Sequence, residues 1–486
     1  MPAEKTIVYD ASRLLSRATA NTPTGIDRVN LNYLLHFINN PEYRLICIAL
    51  KKGNARCLDE NTVGDLLHKL AAMWQPNNIW AAEKQSISNY VSLQKNEKLY
   101  VSKSPVGRTL FTGHFLELAK NRQERYIYIN VAHQGINDEA FLWALKHNLG
   151  CEVISFIHDL IPITHPEYTR EGETARHVDR INGALNFSKL VIVNSNHTQK
   201  EVLQYAREKG LPQPKVIPLY IGVEPLDLSG AENEPYDINL AGQDYFVVLG
   251  TIEPRKNHLL LLNIWRSFVE EGIENIPKLV VIGKRGWCNE NIIDMLDRCE
   301  KTKPHVVELS DISDHQLVQL LKGSKGLLFP SFVEGWGMPL IEALSLKVPV
   351  ICSDLDVFRE SGKDLPTFID PLDANSWKKT ILQAAHESIS TKEVPELPSW
   401  EAHFRILDLE INQLESEKAA EYALRPIRFD TGFIQQLKIS LIAFLLRVVP
   451  EKTVRKFLKF KRTPVQSMVD TRFKPIQKLG KFLAKG

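Results

Sequence analysis

FPSFVEGWGMPLIEALSLKVPVICSD, residues 329–354, joins one apolar run to another through a turn that holds Glu334, Gly335, Gly337 and Pro339. Proline suits the first turn of a helix, so the spacing predicts a helix from near Met338, with Gly335 and Gly337 in the tight turn before it. Glu334 then stands in the loop and Glu342 in the helix.

Helix N-termini present unpaired N–H groups and partial positive charge, and glycines without side chains let an anion approach the backbone. The junction therefore reads as an anion cradle. Carboxylates on either side of it would repel a phosphate unless they were aimed at hydroxyls, which suits a sugar attached to a nucleotide. The plainer alternative is a solvated Glu334 and a Glu342 that favours the helix dipole.

A matching junction occurs in VVLGTIEPRKNHLLLL, residues 247–262, where Arg255 and Lys256 follow a strand, a Gly250 turn and Pro254. An arginine fork and a lysine point charge together can neutralise a diphosphate leaving group. A solvated basic pair is the alternative, although cations at a helix start oppose the dipole.

Working outward, short β-branched runs alternate with amphipathic stretches. Residues 6–10, 43–50, 125–131, 151–157 and 190–194 form one strand series, and residues 245–250, 278–283, 305–309, 326–330 and 348–354 a second, after a Pro-, Gly- and Glu-rich stretch from Leu211 to Gly242. Apolar strands alternating with helices indicate parallel sheets covered on both faces. The expected fold class is α/β, with two doubly wound domains facing across a cleft. The expected domains are 1–224, 240–398, a terminal helix within 399–424 that returns toward the first domain, and a tail at 425–486. Ligands of such sheets lie beyond the carboxyl ends of the strands.

Further candidates come from the first series. Gly25 and Arg28 lie in TPTGIDRVNLNYLLHF, residues 22–37, where Asp27 is a candidate helix cap and Arg28 either a solvated residue or an anion contact. His158 and Asp159 follow the strand in ISFIHDLIP, residues 154–162, and Asp159 either orients the imidazole or caps the next turn. Ser195 or Asn196 is expected as a helix N-cap, with an acceptor-side role for Ser195. Asp10 and Arg13 either line the acceptor side or form an internal ion pair, and Trp287 and Trp336 are expected mainly to pack.

With 486 residues the chain exceeds one hydrophobic core, and its 44% hydrophobic and 24% charged content is that of a globular protein. From Arg425 onward 15 Lys or Arg face 3 acidic residues, a balance of +12 where the whole chain is +2, which leaves −10 for residues 1–424. Residues 432–462 place Phe433, Leu437, Leu441, Phe444, Leu445 and Val448 near helical spacing beside a basic cluster. Such a tail suits an anionic membrane surface, a partner protein being the alternative; nucleic acid is disfavoured because the body has no basic stripe. No signal-peptide pattern, apolar membrane-spanning run or CxxC pattern appears, so a reducing cytoplasmic setting and no metal site are expected.

Together, EGWGMPLIE with Glu334 and Glu342 and the EPRKN of residues 253–257 resemble the retaining glycosyltransferases of family 4, of GT-B fold, across roughly residues 1–424. The resemblance implies that Lys256 and Arg255 bind the donor diphosphate, Glu342 the ribose, and that Glu334 and His158 face the donor sugar. It further implies phosphate contacts from backbone at Gly337, Met338 and Leu340, a base-bordering loop at Ser310 to Ile312, and Gly25 near the phosphates. Many members carry an arginine where this chain has Thr251, and Arg255 is the expected replacement.

EPRKN and VIGKRGW resemble bacterial mannosyl- and rhamnosyltransferases of O-antigen or capsule assembly. That implies a hexose moved from a nucleotide diphosphate sugar, GDP-mannose first, to a lipid-linked or growing saccharide, without a metal cofactor. It also implies a site on the cytoplasmic face of the inner membrane, alongside other polysaccharide-assembly enzymes. The competing classes are a nucleotide-sugar epimerase of similar fold and a non-catalytic scaffold.

Overall fold

The structure is a computed structural model that describes residues 5–20, 22–51, 54–74, 99–104, 107–112, 125–223, 240, 242–387, 397–414 and 425–426. Met1–Arg425 forms one compact unit containing two sheets.

The first sheet comprises β1 (Lys5–Asp10), β2 (Tyr43–Lys51), β3 (Asn54–Cys57), β4 (Leu99–Ser104), β5 (Gly107–Thr112), β6 (Arg125–Asn130), β7 (Glu152–Ile157), β8 (Leu190–Val193) and β9 (Lys215–Pro218). Their order is β4-β5-β3-β2-β1-β6-β7-β8-β9. From β2 to β9 the neighbours are parallel, with Tyr9 opposite Cys47 and Ile154 opposite Leu190. Strands buried on both faces need continuous apolar runs, and every residue of β7 and β8 is buried.

The second sheet comprises β10 (Tyr245–Leu249), β11 (Lys278–Ile282), β12 (Val306–Leu309), β13 (Gly326–Phe329), β14 (Val350–Ser353) and β15 (Thr367–Ile369). It is parallel throughout, in the order β12-β11-β10-β13-β14-β15. Strand order therefore reverses between β10 and β13, and a doubly wound sheet opens its ligand crevice at such a switch point. EPRKN follows β10 and EGWGMP follows β13, so the topology brings the two motifs side by side.

These observations depart from the sequence reading at the edge of the first sheet and in several short strands. The edge of the first sheet is not purely parallel, since β3 runs antiparallel to β2 and β4 antiparallel to β5. Strands β3, β4, β5, β9 and β15 were not foreseen, β9 lying inside the Pro-, Gly- and Glu-rich stretch. The terminal helix spans Trp400–Gln413, within the expected 399–424.

That last helix starts at a Ser399 N-cap that accepts from the Ala402 N–H at 3.1 Å. Its inner face lies on the helix Gly25–Asn39: Tyr33 meets His403 Nε2 at 2.8 Å, and the Asp408 carboxylate accepts from the Tyr43 hydroxyl at 2.9 Å. Phe404 stacks on His36 with centroids 4.1 Å apart. Cys47, Cys151 and Cys352 are buried thiols, as their apolar runs suggest. Among the described residues no helix is long and apolar enough to cross a membrane. The basic tail, apart from Arg425 and Pro426, lies outside the described residues.

Candidate active site

The turn after β13 is shaped by two glycines for different reasons. Gly337 is the N-cap of the helix Met338–Ser345 and has φ 91°, a left-handed conformation that L side chains adopt at a cost. Gly335 is needed for space, because a Cβ there would lie 2.6 Å from the His158 carbonyl oxygen and 3.1 Å from Asp159 Cβ. The turn therefore rests against the end of β7, so motifs from the two sheets meet. The helix starts at Met338 with Pro339 in its first turn, as the sequence spacing predicts.

Beside that turn, Pro254–Lys256 forms a single 3-10 turn after β10 and aims both cations at Glu334. Lys256 Nζ lies 2.5 Å from Glu334 Oε1, and Arg255 Nη1 lies 2.6 Å from Oε2. The Ser331 hydroxyl donates to Glu334 Oε1 at 2.8 Å, and Lys256 sits over the Phe329 ring at 4.7 Å from its centroid. Arg255 also donates to Glu253 Oε1 and to the Val333 carbonyl, at 2.7 Å and 3.0 Å. The backbone is tied as well, since the Phe332 N–H donates to the Arg255 carbonyl at 2.9 Å.

The electrostatics of this cluster follow from its burial. Desolvation works to raise the Glu334 carboxyl, but the charges of Arg255 and Lys256 and their hydrogen bonds outweigh it and hold it at about 2. Burial lowers Lys256, and Glu334 opposes that fall. Burial raises Glu253, against Arg255 and Lys256. At neutral pH the cluster holds an ionised carboxylate clamped between two cations. An ammonium has three N–H donors, so Lys256 can serve Glu334 and an incoming anion together.

Across the turn, the His158 ring places Nε2 2.7 Å from the Val131 carbonyl, and burial pushes it down to about 4. The Asp159 carboxylate accepts from the Ile161 N–H at 3.1 Å, so it caps the next turn and the imidazole-orienting alternative is set aside. Ser195 is the N-cap of the helix Asn196–Lys209, and its hydroxyl lies 3.2 Å from the Gly335 carbonyl. The Glu360 carboxylate accepts from the Asn196 and His197 N–H groups at 2.6 Å and 3.2 Å.

The structure thus gathers Glu334, Arg255, Lys256, Gly337, Met338, His158, Asp159 and Ser195 where the ends of β10, β13, β7 and β8 converge. Gly25 stands beside Met338, whose sulfur would lie 3.3 Å from a Cβ at Gly25. Glu342 and Met338 line a pocket together with Arg28, Asp314, Leu317 and Leu321. Arg28 Nη2 donates to both carboxylate oxygens of Asp314, each at 2.8 Å, so the solvated reading is replaced by an ion pair. Leu340 is fully buried, and Ile312 is half-buried against the core.

Other expectations change. Arg13 pairs with Asp27 at 2.6 Å and not with Asp10. Asp10 is buried in a separate network, accepting from the Tyr128 hydroxyl at 2.8 Å and the Ser12 N–H at 3.0 Å. The N-cap of Gly25–Asn39 is Thr24, with Asp27 as the reciprocal member of a capping box. Trp336 is buried and stacks on Tyr220, and Trp287 donates to the Tyr168 carbonyl at 3.0 Å.

Sequence reasoning passed over Glu253 and Ser331, which sit beside the quoted cations and carboxylate, and His133, which follows β6. The available signal for His133 was its position just past an apolar strand in INVAHQG, residues 129–135.

Residues 232–396 match the family described as glycosyl transferases group 1, and residues 133–220 match the glucosyltransferase 3-like N-terminal domain. The chain is 29% identical over 247 residues to the O-antigen chain mannosyltransferase B of Escherichia coli, covering 50% of this chain and 63% of that one. It is 29% identical over 229 residues to the serotype-specific mannosyltransferase WbdA of Escherichia coli, covering 43% of this chain and 26% of that one. The chain thus spans less than two thirds of either relative. Among solved structures, sucrose-phosphate synthase from Thermosynechococcus elongatus superposes with a TM-score of 0.53 at 15% identity, over 84% of this chain and 98% of that one. The chain has the two facing parallel-sheet domains of the GT-B fold, and the second of them carries a glycosyl transferases group 1 domain.

Proposed function

We propose that this chain is a retaining glycosyltransferase of family 4 that moves a hexose from a nucleotide diphosphate sugar to a lipid-linked or growing saccharide. The observation that carries the proposal is the buried cluster of Arg255, Lys256 and Glu334 beside the helix N-terminus at Met338, with the His158 backbone of the other sheet against the same turn. The two cations and the helix N–H groups offset the charge that grows on a leaving diphosphate, which is where a preorganised site gains most. In the proposed reaction the acceptor hydroxyl attacks the face the diphosphate leaves, through a transition state of oxocarbenium character, and the departing phosphate takes the acceptor proton.

The mannosyltransferase names of the two Escherichia coli relatives favour mannose, and so GDP-mannose as donor, in bacterial O-antigen or capsule synthesis. The +12 tail of residues 425–486 supports a cytoplasmic enzyme held at an anionic membrane surface. Vesicle flotation with and without residues 425–486 tests that part, and equal flotation of the two chains would refute it.

The central experiment is release of nucleoside diphosphate from GDP-mannose, UDP-glucose and dTDP-rhamnose by the purified chain. Release is expected, fastest from GDP-mannose. No release from any of the three, with or without added membrane extract as acceptor, would leave the scaffold reading in its place.

A further inference from the structure

Beside the ionised cluster, a row of half-buried rings crosses from one sheet to the other. His165 and Tyr168 lie in the connection after β7, Phe332 in the loop after β13 and Trp287 in the loop after β11. The Tyr168 and Phe332 rings have an interplanar angle of 5° with centroids 5.6 Å apart, and His165 and Tyr168 an angle of 10° at 6.0 Å. Parallel rings that far apart are offset, so each leaves part of a face uncovered by its neighbour. Trp287 fastens the row from the side. Its indole N–H donates to the Tyr168 carbonyl at 3.0 Å, and the Arg170 guanidinium lies over its ring, 4.6 Å from the centroid.

The row begins where the two loops of the cluster are tied together. Phe332 stands two residues before Glu334, and its N–H donates to the Arg255 carbonyl at 2.9 Å. All three connections leave the carboxyl ends of strands, the side on which open α/β sheets hold their ligands. Thr164, Thr169 and Arg170, interleaved with the rings in sequence, carry hydrogen-bonding groups and are exposed or half-buried. Apolar ring faces set among such groups suit a sugar. A pyranose presents C–H bonds of partial positive charge on its face, which suit the negative face of an aromatic ring, and hydroxyls around its rim. A nucleobase also stacks on rings. The pocket that Glu342 lines is built by other residues, from Arg28 to Trp400, and no member of the row belongs to it. Asp10 and Arg13, first expected on the acceptor side, are engaged with Tyr128 and Asp27.

We infer that this row is the acceptor subsite: a neutral saccharide lies along Phe332, Tyr168 and His165 with its reacting end toward Glu334, and Arg170 donates hydrogen bonds to its hydroxyls. This rests on the glycosyl-transfer reading of the cluster. The centroid spacings of 5.6 Å and 6.0 Å are comparable to the length of one pyranose unit in a chain, so successive sugars meet successive rings. Because the row draws rings from both sheets, it is complete only while the two stand as they do here.

The test measures saccharide binding to the full chain directly, without donor, by saturation-transfer NMR titration with mannotriose, maltotriose and chitotriose. The wild type is expected to bind at least one of them, with the strongest transfer to C–H protons of the sugar faces. Tyr168→Phe keeps the ring and should bind within about 2-fold of the wild type. Tyr168→Leu keeps an apolar side chain without a ring, and should weaken saccharide binding about 10-fold while affinity for GDP stays within about 2-fold. Binding of none of the three probes by the wild type overturns the inference, and so does a Leu variant that binds them as well as the wild type, because packing between the sheets would then be the whole role of the ring. Equal loss of GDP and saccharide binding in Tyr168→Leu assigns the rings to the nucleotide and overturns it too. If Tyr168→Leu fails to fold, the exposed Arg170→Ala decides: weaker saccharide binding supports the row, and unchanged binding overturns it. The transferase reading fails separately, when the saccharide binds with the expected order of variants and no nucleoside diphosphate is released from any donor.

Discussion

Lys256 Nζ and Glu334 Oε1 stand 2.5 Å apart, joining the loop after β10 to the loop after β13, and both side chains are no more than 10% exposed. Arg255 takes the other oxygen of the same carboxylate at 2.6 Å. Glu334 thus bridges two buried cations, Arg255 also meeting Glu253, and removal of either side has a different consequence.

Lys256→Ala removes one cation and leaves the Arg255–Glu334 pair intact, so stability should change little while turnover falls by about 10²–10³. Glu334→Ala abolishes turnover as well and leaves the buried Lys256 without its carboxylate, Arg255 keeping Glu253, which costs roughly 3–5 kcal/mol. Urea unfolding of both variants beside the wild type checks this order. Equal stability of the two would mean that the cluster is solvated in solution.

The same pair predicts an acid-dependent stability. Glu334 titrates at about 2 in the fold against 4.5 when free, because the two cations outweigh its burial. Its folded-state value is depressed, so the stability it contributes is present above 4.5 and is lost as pH falls toward 2. Denaturation midpoints of the wild type and Glu334→Gln should differ most above that window and converge within it. A difference that persisted unchanged down to the bottom of the window would show that Glu334 is not held ionised by its neighbours.

Gly337→Ala places a Cβ at φ 91° and 2.7 Å from the Phe358 ring, so roughly 1–3 kcal/mol of stability should be lost. Gly335→Ala pushes against the His158 carbonyl at 2.6 Å and so disturbs the meeting of the two halves. Thermal unfolding should show the larger loss for Gly337→Ala, and both should lose turnover. Wild-type turnover in Gly335→Ala would separate the turn from the chemistry.

Much of this was readable in the sequence because parallel buried strands leave continuous apolar runs, and β10, β11, β13 and β14 each stand out as one. Pro339 located its helix start because its missing N–H is cheapest there. Besides β3, β4 and β5, two strands that escaped notice lack that signal: β9 is the short KVIP with an exposed first residue and a proline, and β15 is a three-residue edge. The site residues were legible as types and the ion pairs were not. Which carboxylate Arg13 meets, or whether Arg28 finds Asp314, depends on side chains far apart in sequence that the fold alone brings together. Glu253 escaped because a glutamate before a proline reads as an ordinary loop residue.

In the proposed reaction two fixed cations and a helix N-terminus would supply the charge that a divalent ion otherwise brings to a diphosphate, so transfer should continue in the presence of a chelator. Rates measured after exhaustive treatment with EDTA should match untreated enzyme within about 2-fold. Loss of activity restored by magnesium would assign part of that role to a metal.

The most direct measurement is a crystal structure with a bound nucleoside diphosphate. The account predicts phosphate oxygens within hydrogen-bonding distance of Lys256 and of the backbone N–H groups at the start of Met338–Ser345, with the ribose beside Glu342. Density for the diphosphate away from the crevice between β10 and β13, with the Lys256–Glu334 contact untouched, would contradict it.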